Sequence, residues 1–566
     1  MPTKALAPRT RAARPAALSE LKIDLSLVHL VVLAATLVIG VASFAVSMQI
    51  GLLVTAVVSL GLVAVAPALA PMLVLAGFLF QNLLTAAFTP LVQSAGALDV
   101  LRGTNFVILM AAFGMLIAVA FLAPGRLPRP TRTWLNAILL LTAMITFYFF
   151  LGLVTGSAKD ALVYLRNTIT PVLTFAVGLL AASLYRVAFE RLLLLMGALA
   201  LLFGYCELVF QLDFLALFNG DDFYAARISE ALENNGELGT SLTRPGELYP
   251  GLHGLLTVPL FNLTFLNDFV PQLFRLSGPN FHPISYAYVI AILSCWRLFS
   301  GRWGFLVAAL PILIAVGSKG AIMVVMASIV MRVCLTLFGA RVAISATALM
   351  LIGYTTLAIV IGYANRDYHV IGFVSGIRFF FDNPIGRGLG LGGNLSGTAM
   401  ALIDWPRAQA QGYTDVPVES TLSVMLYQMG IATGAYYGWL FLIIRSCLRL
   451  RGDGFPALRF FPAAVISAIA ANSVLQEEAV YSPLGLGFAL LIVGLFMGTH
   501  FRRHQRLRND PPERSKHQAF TDPEVPTADQ GRSSLDRFGL AGIQTRHRAP
   551  NRSRRYPLLR QPHERL

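Results

Sequence analysis

Runs of about twenty uninterrupted apolar residues recur along most of this 566-residue chain, and they constrain its fold more than any other feature. A helix of about twenty residues spans a ~30 Å hydrocarbon core. In lipid a helix is also one of the few structures that satisfies its own backbone hydrogen bonds. Such runs lie near 27–47, 50–66, 68–88, 104–123, 133–154, 165–184, 191–210 and 283–300, then near 303–317, 319–338, 342–363, 421–444, 460–475 and 482–499. They predict an all-α, polytopic transmembrane helix bundle of about 12–14 spans. The pairs 50–88 and 303–338 read either as separate spans or as hairpins or re-entrant segments, and a merged pair would reverse the parity of everything after it. Composition agrees with a membrane bundle. Only 13% of residues are charged, against about 25% in soluble domains.

The net charge of +15 could suggest a nucleic-acid partner, but the placement of the charge argues for membrane orientation instead. With the N-terminus inside, alternate connections carry Arg126, Arg129 and Arg132; Arg186 and Arg191; Arg297 and Arg302; and Arg332 and Arg341. The series continues with Arg445, Arg449, Arg451 and Arg459, then with the tail beginning Arg502 and Arg503. All these connections obey the positive-inside rule, so the chain is expected in an inner membrane with both termini cytoplasmic. Trp134, Trp296, Trp303 and Trp439 fall toward the same span ends, as an aromatic belt would. Cys206, Cys295, Cys334 and Cys447 lie in or beside apolar runs without metal-ligand spacing and read as buried free thiols. The first apolar run lacks a small-residue cleavage motif and reads as an uncleaved anchor.

This parity divides the chain into a disordered cytoplasmic tail (1–26), N-terminal spans (27–210) and a long extracytoplasmic loop (211–282). Further spans (283–363), a second long outward loop (364–420), C-terminal spans (421–499) and a disordered basic cytoplasmic tail (500–566) follow. The first loop contains a helix-like acidic stretch, Tyr224 to Glu233. Loops this long in a compact bundle are usually functional. Most span interiors are free of charge, and the unusual cations cluster at the outward face: Arg244, Arg275, Lys319, Arg366, Arg378 and Arg387. Singly, each reads as a solvated or snorkelling cation; as a set they suit an anionic ligand at the outer leaflet, because guanidinium forks match phosphate oxygens. Glu207, near the outer end of its span, is a further functional candidate. Glu477 and Glu478 read as a solvated outward turn. The glycine run from Gly386 to Gly393 reads as a turn allowing close backbone approach to the bilayer or a donor, since no strand precedes it as in a nucleotide loop.

Four local elements sharpen the reading. They are Arg275-Leu-Ser-Gly-Pro-Asn-Phe-His282, Gly317-Ser-Lys-Gly320, Arg378 followed by Asn383-Pro-Ile-Gly-Arg-Gly388, and Glu419-Ser420 opening a span with Gln428-Met-Gly430. Their order, from about 275 to 435, resembles the O-antigen ligase and polysaccharide polymerase superfamily of bacterial envelopes. Two positions depart from that family: Lys319 stands where it usually has Arg, and Glu419 where its ligases have His. The second departure leans away from lipid A-core ligation and toward a repeat-unit polymerase for an exopolysaccharide, capsule or O-antigen.

The resemblance implies metal-independent glycosyl transfer without a cofactor at the outer leaflet. The donor would be a polyprenyl-diphosphate-linked oligosaccharide and the acceptor a hydroxyl of a second lipid-linked glycan. In that reading Arg275, Lys319 and Arg378, with Arg244 and Arg387 as further candidates, hold the leaving diphosphate. Glu419 is the first candidate for the base and His282 the second. Glu419 reads alternatively as a helix cap, and His282, beside Pro283, as a loop anchor. Membrane lipids and other polysaccharide assembly proteins are the expected partners, and nucleic acid is not. The alternatives are ligase-type transfer to another acceptor, or a transporter or flippase for the same glycans. A transporter tends to show repeat symmetry and ionisable residues at mid-bilayer.

Overall fold

The computed structural model describes residues 27–91, 100–101, 103–224, 256–260, 272–450 and 456–509. The expected N-terminal tail, the expected C-terminal tail beyond Asn509, most of the acidic stretch after Tyr224, and Arg244 lie outside the described residues, whereas residues 500–509, expected as the start of the disordered tail, continue the last helix.

Nineteen helices carry the described chain. The first seven are α1 (Leu27–Ala42), α2 (Met48–Val65), α3 (Ala70–Phe88), α4 (Thr104–Leu122), α5 (Arg129–Thr155), α6 (Ala158–Leu184) and α7 (Phe189–Ala216). A two-stranded antiparallel ribbon of β1 (Thr257–Val258) and β2 (Leu273–Phe274) pairs Thr257 with Phe274 and leads into α8 (Pro283–Phe299). Next come α9 (Gly304–Val316), α10 (Lys319–Leu337) and α11 (Ala340–Ala364). The region expected as the second loop contains α12 (Tyr368–Asp382), α13 (Gly397–Met400) and α14 (Trp405–Gln411). The chain closes with α15 (Thr421–Met429), α16 (Ala432–Arg449), α17 (Phe461–Asn472), α18 (Glu478–Tyr481) and α19 (Phe488–Asn509).

Ten of these helical stretches are long and apolar enough to cross a membrane, and α8, α9 and the 458–472 stretch are shorter apolar helices. The chain is therefore an all-α, multi-pass membrane protein. Both ambiguous pairs are separate helices, α2 with α3 and α9 with α10. The expected single span at 421–444 is instead broken between α15 and α16. Gly430, at φ +54°, meets the backbone of Pro384 to Gly386 so closely that a side chain there would collide, and Ile431 donates its N–H to the Pro384 carbonyl at 2.8 Å.

At the centre, α6 packs along α19, and 94% of the span window of α6 is buried against 11% of that of α11. Lipid gives no hydrophobic drive for helices to associate, so close backbone contact must supply the attraction. Gly178 on α6 and Gly494 and Gly498 on α19 allow it: a Cβ at any of the three would sit 2.5 Å from a carbonyl of the facing helix.

The helix junctions gather at two ends. At one, Thr131 meets Ser183 at 2.9 Å, Phe189 packs on Trp296 and Phe299 on Phe461, which links the arginine-bearing turns. Two of the expected belt tryptophans are core residues here. Trp296 is 1% exposed, and Trp439 is 5% exposed and packed on Phe175, whereas Trp303 is 45% exposed. All four cysteines are free, with Cys295 and Cys447 buried.

Candidate functional site

The opposite end of the bundle collects most of the candidate residues. Its first wall is the loop after β2. Arg275 donates its backbone N–H to Leu256 at 2.6 Å, which continues the ribbon. The next turn is held from α7: Ser277 and Gly278 donate their N–H groups to the two carboxylate oxygens of Glu207 at 2.7 and 2.8 Å. Glu207 is 0% exposed. Gly278 sits at φ +67°, and the Tyr286 ring occupies the space a side chain would need. Tyr224 donates its hydroxyl to Ser277 at 2.7 Å, and Asn82 on α3 donates to the Asn280 carbonyl at 2.6 Å.

The loop therefore presents Arg275 from a fixed base. Its Nε donates to the Val316 carbonyl at the end of α9, at 3.2 Å. That contact places the guanidinium on the turn that carries Lys319, an exposed residue opening α10 behind the capping Ser318. Burial pushes the Arg275 pKa down, and the charge of Glu478 pushes back. Both carboxylate oxygens of Glu207 are thus taken up by the backbone of this loop. Glu207→Ala would leave two buried donors unpaired, at about 1–3 kcal/mol each. The melting temperature of the purified variant in detergent should fall by several degrees, with Glu207→Gln between it and wild type; an unchanged midpoint for Glu207→Ala would mean the loop is held by other contacts.

The second wall is Glu419. It opens α15 at φ +63°, a conformation a non-glycine residue adopts at a cost and one that recurs at functional sites. Its N–H donates to Asn394 Oδ1 at 3.1 Å, and its Oε2 lies 3.1 Å from Nδ1 of His369 in the first turn of α12. The two are in ion-pair range. Burial opposes charge on His369. Glu419, Asp367 and Glu478 outweigh it and raise the imidazole above its ordinary pKa.

The third wall is the turn between α17 and α18. The sequence suggests a solvated turn, but Glu477 is 2% exposed. Its Oε1 accepts from the Tyr164 hydroxyl at 2.6 Å and its Oε2 from the Asn394 N–H at 2.8 Å. Burial first, then the charges of Glu478 and Glu419, push its pKa up to about 8 against those two hydrogen bonds. Glu478 is raised by burial and by Glu419, and lowered by His369 and Arg275. These mutual shifts place Arg275, His369, Glu419, Glu477 and Glu478 within one electrostatic neighbourhood. Thr421 seals it by donating to the Glu477 carbonyl at 2.8 Å.

The glycine run delivers Asn394 to this point. Leu389 donates to Tyr148 of α5 at 2.9 Å and Gly393 to Pro417 at 2.8 Å. Gly388 passes against Gly152, and Gly393 against the Tyr164 hydroxyl and Glu477, where side chains would collide. The close approach is thus to the bundle's own helices rather than to the bilayer or a donor.

The remaining candidates lie apart from these three walls or are otherwise engaged. His282 caps α8: its Nδ1 accepts from the Ser285 N–H at 3.3 Å, and Ser285 Oγ meets Ser482 Oγ at 2.8 Å beside the end of α18. Arg378 lies nine residues beyond His369 on α12, roughly 14 Å along the axis, with its guanidinium 4.1 Å from the Tyr413 ring centre. Arg387 stacks on Tyr427 and Phe379 at 4.7 and 5.7 Å. Arg366 lies over Tyr363. His369, Asn394 and Tyr164 are the site residues that the motifs do not single out. Among the described residues, no group of three or more His, Cys, Asp or Glu is placed to hold a metal ion. Among the described residues, two small cavities lie elsewhere, one among α1 to α4 and one beside Arg186 at the other end.

Fold and site together define a multi-pass helical membrane protein with a charged, partly buried cluster at one end. Comparisons with protein-family models, with curated proteins and with solved structures each found no match.

Proposed function

We propose that this chain is a polymerase that joins lipid-linked oligosaccharide repeat units into an exopolysaccharide, capsule or O-antigen at the outer leaflet of a bacterial inner membrane. The observation that carries the reading is the Glu419–His369 pair at 3.1 Å, in one electrostatic neighbourhood with Arg275 and at the end opposite the arginine-bearing turns. Positive-inside orientation makes that end extracytoplasmic and puts both termini in the cytoplasm. Resemblance to the O-antigen ligase and polysaccharide polymerase superfamily supplies the substrate class, a polyprenyl-diphosphate-linked glycan.

In this reading the acceptor hydroxyl attacks the anomeric carbon of the donor glycan. A new C–O bond forms as the bond to the diphosphate breaks, and the bonding electrons leave with polyprenyl diphosphate. The growing negative charge meets Arg275, with Lys319 on the same turn. The hydroxyl proton passes to the His369–Glu419 pair, in which the carboxylate steadies the imidazole as it becomes charged. Arg378 and Arg387, stacked on aromatic rings, take no part in the clamp, and His282 serves as a helix cap.

The test is the lipid fraction of a deletion strain. The polymerase reading expects single repeat units on polyprenyl diphosphate to accumulate at the outer leaflet with no polymer. Accumulation facing the cytoplasm would make translocation the blocked step and replace this reading with a transporter.

A further inference from the structure

Two aromatic residues beside the Glu419–His369 pair have no role in the chemistry above. Tyr368 and Trp405 are the first residues of α12 and α14, and each follows an aspartate that caps its helix. Asp367 accepts the His369 N–H at 2.9 Å, and Asp404 the Arg407 N–H at 3.1 Å. The caps bring the rings together at 5.9 Å between centroids and 71° between planes. Tyr368 stays 46% exposed, and its ring lies 4.8 Å from the His369 imidazole. Trp405 is half-buried and Asp404 exposed.

Crossed, partly exposed rings flanked by carboxylates suit a sugar. One face of a pyranose is a patch of slightly positive C–H groups, and aromatic faces carry the complementary negative potential. Hydroxyls at the ring edge need acceptors, and Asp367 and Asp404 stand beside the two rings. We propose that Tyr368 and Trp405 form a pyranose-binding platform that seats the acceptor sugar with its hydroxyl toward His369 and Glu419. The proposal rests on the polymerase reading for its placement of the acceptor. Stacking on two rings gives weak, releasable binding, which suits a glycan that must move on after each transfer.

The test uses the full-length protein in phospholipid nanodiscs. The probe is the oligosaccharide released by mild acid from the lipid-linked intermediates of the deletion strain, and binding is read by saturation-transfer NMR. Wild type should transfer saturation chiefly to the C–H protons of one sugar face. Tyr368→Ala and Trp405→Ala should each weaken binding about two- to tenfold, with Tyr368→Phe within about twofold of wild type. Each variant is first checked for wild-type gel-filtration behaviour, and Trp405→Leu replaces Trp405→Ala if the latter does not fold.

Wild-type affinity in both ring-removing variants, or no transfer to wild type, would overturn the platform; rings that merely anchor the chain at the membrane interface would give the first result. Glycan binding by a chain that makes no polymer would keep the platform and remove the polymerase reading. Polymerisation at the wild-type rate by both alanine variants would do the reverse.

Discussion

Arg275→Ala is expected to abolish polymer while leaving the protein in the membrane at its normal level. Glu207, Asn82 and Tyr224 all grip the backbone or Ser277 of the loop, not the Arg275 side chain. Removing the guanidinium therefore costs the fold the contact from Nε to the Val316 carbonyl and the attraction to Glu478. The loss to the reaction is much larger. A diphosphate leaving group builds charge in a site where cations are fixed in advance, and one such donor is typically worth about 10²–10³ in rate. Arg275→Lys keeps the charge but loses the planar fork, so it should fall between wild type and alanine. Polymer on gels and protein by immunoblot check both statements. Normal polymer from Arg275→Ala would remove the clamp.

Loss of the His369–Glu419 pair should cost about 10²–10⁴ in rate, the usual contribution of a positioned base. The pH profile carries more information than the size of the loss. His369 is raised above its ordinary pKa because Glu419, Asp367 and Glu478 outweigh the effect of burial. If the neutral imidazole takes the proton, the rate must climb as pH rises through that raised value. Glu419→Gln removes the carboxylate that holds the imidazole's charge, so the climb should move to lower pH even as the maximum rate drops. The stability linkage has a matching sign: the pair's contribution is full below about pH 6.5 and is lost as pH rises through the folded value. Glu477, pushed up to about 8, titrates nearby, and Glu477→Gln should leave the climb in place. A climb that stays put in Glu419→Gln would separate His369 from Glu419.

Most of the fold is legible in the sequence because the bilayer imposes its own length and polarity on every span. The arginine-bearing turns supply parity independently, and the structure forms each ambiguous pair as two separate helices. Packing between spans is less visible. Gly494 and Gly498 show the small-residue spacing of a close helix contact, but nothing in the sequence names Gly178 as their partner. Trp296 and Trp439 fall toward span ends in the sequence, as belt residues would, and only the neighbouring helices bury them.

The site divides in the same way. Arg275, Lys319 and Glu419 stand out because cations beside glycine, or a carboxylate at a span start, break an apolar pattern. His369 is fifty residues from Glu419 in a polar segment, and the close packing of α12 on α15 through Gly372 and Gly376 brings the two together. Glu477 looks solvated because its flanking residues are polar. It is buried by a glycine segment and by Tyr164, which is 313 positions away in the chain. Arg378 and Arg387 fit the motif as well as Arg275 does, yet their side chains lie on aromatic rings.

The most direct measurement places the purified full-length chain in phospholipid vesicles with the lipid-linked oligosaccharide from the deletion strain and follows product length by electrophoresis. A repeat-unit polymerase would give a ladder of repeat-unit multiples with release of polyprenyl diphosphate, formed without added metal ion or nucleotide and lost in Arg275→Ala. Substrate that crosses the vesicle bilayer while keeping its single-unit length would contradict it.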